Sequence, residues 1–182
     1  MDLKKTLKFG GGGVRGDLTG RSATEDEVAE LTEVLCEIVD QGKYDKACRR
    51  MVAWINDAGL PGAGLLTTYL AISVAQACVD RGVLVDGLEQ RVPQFSGIPM
   101  PDAISATMHA QDLITKMLDR AGRGENEQPT LDELTEVWKT PQFGGLVLFY
   151  YLQCLANAVH LPRLVAVLPA VIDATIDGDV DR

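Results

Sequence analysis

Histidine is nearly absent from this chain, aromatic residues make up only 5% of it, and its four cysteines are scattered. Two histidines, His109 and His160, are too few for a multi-histidine metal site. Cys36, Cys48, Cys78 and Cys154 lie too far apart for the CxxC spacing of zinc sites and redox motifs. None of Ser22, Ser73, Ser96 and Ser105 sits between the two glycines of a GxSxG elbow. The first nine residues carry three lysines and no apolar run, so a secretion signal is not expected. There is no internal repeat and no alternating strand pair. No catalytic residue, metal ligand or cofactor is assigned on this basis.

The residues that are present describe an ordinary globular composition, 46% hydrophobic and 24% charged over 182 residues. That length fits a single domain with a real core. Each cysteine stands among apolar neighbours, which predicts four buried free thiols and, through them, a reducing cytoplasmic location. Charge is unevenly distributed. Residues 1–21 hold Lys4, Lys5, Lys8, Arg15 and Arg21 against Asp2 and Asp17, a balance of +3. With a net charge of −9, the remainder carries −12. The chain therefore divides into a basic, glycine-rich arm, residues 1–23, and an acidic helical domain, residues 24–182. The four consecutive glycines from Gly10 to Gly13, with Gly16 and Gly20, predict a flexible arm.

Helix signals begin at Thr24, which with Glu27 fits a capping box. Val28, Leu31, Leu35 and Ile38 form one apolar stripe, and Gly42 suits the stop. A second helix is expected over 43–58, with Tyr44, Ala47, Met51 and Ile55 inward and Lys46, Arg49 and Arg50 outward. Gly59-Leu60-Pro61-Gly62 should break it. A third, over 65–81, is apolar nearly all round and reads as central. Its polar Thr67, Thr68, Ser73 and Gln76 argue against a membrane span. Residues 83–101 read as a stiff, apolar loop around Pro93, Pro99 and Pro101. A fourth helix, about 102–121, takes Ile104, Met108, Ile114, Met117 and Leu118 as its inward side. A short helix capped by Thr130 and Glu133 carries Leu131, Leu134, Val137 and Trp138 and ends at Pro141. A further helix, about 146–159, is strongly apolar, and the last, about 162–176, is kinked at Pro169. The sum is an all-α, irregular compact bundle of about seven helices behind a flexible N-terminal arm.

Several short motifs call for a chemical reading. Gly11-Gly12-Gly13-Val14-Arg15-Gly16 has GxGxxG spacing, but no helix follows directly and no parallel sheet surrounds it. The same six residues resemble the oxyanion-hole loop of patatin-like lipases, a resemblance that implies a nucleophilic serine in a GxSxG elbow, which this chain lacks. A linker is the expected role. His109 has Asp112 at i+3, a conceivable acid–base pair that on a helix surface is expected to be solvated. His160 reads as a helix C-terminal cap. Asp177-Gly178-Asp179-Val180-Asp181 lacks the closing glutamate of a calcium loop before Arg182 and reads as a solvated tail. Residues 58–64 look like a helix-turn-helix linker, but the following helix lacks charged residues for base readout, so nucleic acid is not the expected partner.

These observations predict a non-enzymatic interaction or assembly module, with a helical body and a docking arm, which binds another protein or a second copy of itself. Leu3, Leu7 and Phe9 would anchor the arm, and Lys4, Lys5, Lys8 and Arg15 would steer it. The loop residues Phe95, Ile98 and Met100 would add a second contact surface. The two alternatives are a helix-turn-helix regulator using the basic helix at 43–50, and a ligand pocket or active site lined by Tyr69, Met108, His109, Phe149 and Tyr150.

Overall fold

The computed structural model describes residues 23–88 and 100–158. Among these residues the fold is all-α, with five α-helices and no strand: α1 Glu25–Asp40, α2 Tyr44–Arg81, α3 Met100–Gly122, α4 Leu131–Val137 and α5 Pro141–Asn157. A 3-10 turn, Val85–Leu88, follows α2. The capping boxes read from sequence are in place. Thr24 Oγ1 accepts from the Glu27 amide while Glu27 accepts from the Thr24 amide, and Thr130 and Glu133 repeat the arrangement. Of the expected stops, Gly82 caps the end of α2 and Gly42 follows the Gln41 cap of α1, both at positive φ.

About seven helices were expected, and five are present among the described residues. The final helix, 162–176 with its Pro169 kink, lies outside the described residues. The other difference is that the second and third helices form one element. Only Gly59 leaves the helical region, at φ 74° and ψ −169°, a conformation open essentially to glycine alone. The chain bends there and resumes its helix at once. Pro61 falls in the first turn of the second limb, where a missing N–H costs nothing. The four residues read as a helix break, Gly59 to Gly62, thus hold a one-residue kink.

α5 lies at the centre, packed against α1, α2 and α3. Leu146 to Leu152 are all buried, as are Cys154 and Leu155. Each side chain of leucine size contributes roughly 1.5–3 kcal/mol by leaving water. α5 starts earlier than expected. Pro141 does not end the short helix but opens α5, with Thr140 Oγ1 accepting from the Phe143 amide at 3.1 Å.

α3 also differs from the expected pattern. It begins at Met100, so Pro101 stands in its first turn rather than in a loop. Its inward face is Ala103, Ala106, Ala110, Leu113, Ile114, Met117 and Ala121, whereas Ile104 and Met108 are exposed. The alanines let α3 and α5 approach closely, and Tyr151 Oη donates to the Ala110 carbonyl across that contact at 3.0 Å. Close approach selects small side chains, so the largest apolar residues of α3 are not all inside. Leu131 of α4 is likewise exposed.

Candidate functional site

The clearest surface feature is built by α1. Asp26, Glu30, Glu33, Glu37 and Asp40 recur at spacings of four and three, which places them on one helical face, and all five are exposed. They face solvent because Val28, Leu31, Leu35 and Ile38 occupy the inward stripe. None has an ion-pair partner among the described residues. α1 carries two further acidic residues in its first turn, Glu25 and Glu27, and no basic residue in its last. Acids at the first turn suit the helix dipole; Glu37 and Asp40 near the other end oppose it. Neighbouring carboxylates on the ridge also repel one another. The helix keeps a charge pattern that works against its own stability.

Beside the ridge a groove of about 400 Å³ opens between α1 and the first limb of α2, lined by Glu27, Glu30, Leu31, Val34, Arg50 and Trp54. Its floor is apolar and its α1 lip is acidic. Arg50 stands on the opposite lip, exposed and without an ion-pair partner among the described residues. Trp54 is half-buried, and its Cη2 edge stands 3.4 Å from where a Cβ of Gly62 would lie. Ala23, the first described residue, meets the same point at 3.5 Å. Ala23 therefore stands close to Trp54, one of the residues that line the groove. Sequence reasoning did not single out the acidic ridge, although its four- and three-residue spacing carries the signal. Trp54 carries no such signal, because the kink at Gly59 brings Gly62 to it.

Directly beneath α1, the Tyr69 hydroxyl is buried and has no hydrogen-bond partner among the described residues. Burial, then the charge of Glu33, pushes its pKa up to about 12. The four cysteines are free and buried, as expected. Burial pushes the thiols of Cys36, Cys48 and Cys78 up to about 12, with help from Glu33, Asp45 and Asp86 respectively, so they stay protonated and unreactive.

The expected ligand pocket does not assemble. Phe149 and Tyr150 are packed in the core, the first edge-on to Tyr44 and the second accepting from Gln111 Nε2 at 3.1 Å. Tyr69 lies under α1, and Met108 is exposed on the outer side of α3. His109 does not pair with Asp112, which is bound to Lys116 at 2.7 Å. The imidazole instead stands edge-on to Phe143 at 5.4 Å, and the Lys139 ammonium lies 4.5 Å from the centre of that ring. Burial, then Lys139, lowers the His109 pKa below its ordinary value, which keeps it neutral at pH 7.

Lys46, Arg49 and Arg50 are exposed on the first limb of α2, as is Lys43 at its N-cap, but the second limb is core from Leu66 to Cys78. That buried limb has no face to offer a DNA groove. Tyr44–Arg81 is long and apolar enough to cross a membrane by length and composition, and 78% of its most apolar stretch is buried in the fold. Among the described residues no group of three or more His, Cys, Asp or Glu is placed to hold a metal ion. Of the contact residues expected from sequence, Leu3, Lys4, Lys5, Leu7, Lys8, Phe9, Arg15, Phe95 and Ile98 lie outside the described residues. Met100, expected in a loop, is the first residue of α3: the proline after it opens a helix instead of prolonging a loop.

No protein-family model matches this chain, and no characterised protein and no solved structure matches it either.

Proposed function

We propose that this chain is a non-enzymatic interaction or assembly module in which an acidic helix face receives a basic segment. One observation carries the reading: Asp26, Glu30, Glu33, Glu37 and Asp40 share an exposed face without a counter-charge among the described residues. Local rules broken at a cost to stability mark functional surfaces. The sequence itself holds a matching cation in the arm of residues 1–23, at +3 over its first 21 residues. An arm from one copy meeting the α1 face of another would assemble copies of this chain. A different protein with a similar basic segment would compete for the same face. Protonated, buried thiols fit a reducing cytoplasmic setting.

Deletion of residues 2–21, followed by native mass at low and at high salt, tests this reading. The intact chain is expected to associate at low salt and to dissociate as salt screens the ridge, while the truncated chain stays a monomer throughout. Identical masses for the two chains at both salt levels would remove the proposal.

A further inference from the structure

We infer that the occupant of the groove between α1 and α2 is the chain's own N-terminal segment, residues 3–9. This inference rests on the interaction reading above and names its site.

Three observations lead to it. The groove has a floor of Leu31, Val34 and Trp54 and an acidic lip of Glu27 and Glu30 that continues into Glu33, Glu37 and Asp40. The segment Leu3-Lys4-Lys5-Thr6-Leu7-Lys8-Phe9 has the complementary composition, three apolar residues among three lysines. Arg50, on the far lip, keeps ammonium groups to the α1 side and leaves the floor to the apolar side chains. The third is the chain path. Phe9 connects to Ala23 through residues 10–22, of which six are glycine, and Ala23 stands close to the Trp54 ring that lines the groove. A linker of that length and composition averages about 20 Å end to end and reaches at most about 45 Å. α1 is only about 24 Å long, so every carboxylate of the ridge is within reach of the tethered lysines. Tethering raises the local concentration of the segment to about the millimolar range, enough for a modest contact to be occupied.

Zero-length carbodiimide cross-linking of the intact chain tests the placement, because it joins only lysines and carboxylates already in contact. Lys4, Lys5 or Lys8 should link to Glu27, Glu30 or Glu33, with the yield falling as salt rises from about 50 mM to about 0.5 M. Phe9→Ser leaves every lysine in place and changes no residue of the helical body. It should lower the yield about tenfold, the loss expected for one aromatic anchor. Trp54 fluorescence should shift to the red in the same variant, and Trp54→Phe should abolish that shift. Links to carboxylates elsewhere, no links, or a yield indifferent to Phe9→Ser would each overturn the groove as the site. Mixing isotopically heavy and light chains separates this outcome from the assembly reading. Links at Glu27 or Glu30 confined to one copy keep the site and remove self-assembly. Links between copies at other carboxylates keep assembly and remove the site.

Discussion

The indole of Trp138 lies against α5 at Gly144, in the space a side chain would need: a Cβ there would stand 2.5 Å from the ring carbon Cε3. The same indole donates from Nε1 to Thr67 Oγ1 at 2.9 Å, and that hydroxyl donates to the Ala63 carbonyl at 2.7 Å. One side chain thus joins the end of α4 to α5 and to the second limb of α2. Gly144→Ala should therefore displace the ring, destabilising the fold by about 1–3 kcal/mol through overpacking. Denaturant unfolding checks the loss, and near-ultraviolet circular dichroism checks the ring. An unchanged midpoint would mean that the indole does not rest there.

Arg120 and Glu133 form a largely buried, two-pronged ion pair at 2.8 and 3.0 Å, and Arg120 also donates to the Asn126 and Gln128 carbonyls. The pair fastens the connector between α3 and α4. Burial raises the Glu133 pKa, but the bonds from Arg120 and Thr130 outweigh it and hold the carboxyl below its ordinary 4.5. A lowered carboxyl pKa stabilises the fold fully above the ordinary value, and the contribution is lost as pH falls through the lowered one. Arg120→Ala should cost about 2–3 kcal/mol at pH 7. The deficit relative to the parent chain should narrow as pH drops below the ordinary glutamate range. Urea titrations of both chains across that range check the sign, and a deficit constant with pH would refute it.

The Tyr69 hydroxyl is desolvated without a partner among the described residues. Removing it leaves the packed ring in place and relieves an unmet hydrogen-bonding group. Tyr69→Phe should be neutral or stabilise by about 1 kcal/mol, seen as an unchanged or higher midpoint of unfolding. A loss above about 1 kcal/mol would show that the hydroxyl has a bonding role.

Gly59 places the bend in α2 at a backbone geometry that side chains resist. Gly59→Ala should destabilise by about 1–3 kcal/mol, whereas Gly64→Ala, in a helical position with open space around it, should be neutral or slightly stabilising. Thermal melts of the two variants side by side separate backbone strain from the ordinary cost of filling space.

Local features of the fold were legible before any tertiary contact was known. The two Thr–Glu capping boxes, the stops at Gly42 and Gly82, and the inward stripe of Val28, Leu31, Leu35 and Ile38 depend only on residues a few positions apart. The α1 acid spacing is of the same kind, although the sequence reading passed over the ridge. The pocket and the acid–base pair failed for a different reason. Met108 and Tyr150 share large apolar character, but α3 turns its alanines inward and sends Met108 to solvent. Asp112 is reached by Lys116 one turn further on, which leaves His109 to Phe143.

Sequence by itself determined the all-α character of this protein, the caps that start α1 and α4, and the segregation of cationic from anionic charge, because each is written in near neighbours along the chain. Tertiary structure alone decided that two expected helices are one bent element, that alanines rather than Ile104 and Met108 line the α3–α5 contact, and that Trp54 floors a groove where the arm begins. Those outcomes depend on how closely helices approach and where one glycine bends the backbone, and such distances between remote residues are set only when the whole core packs.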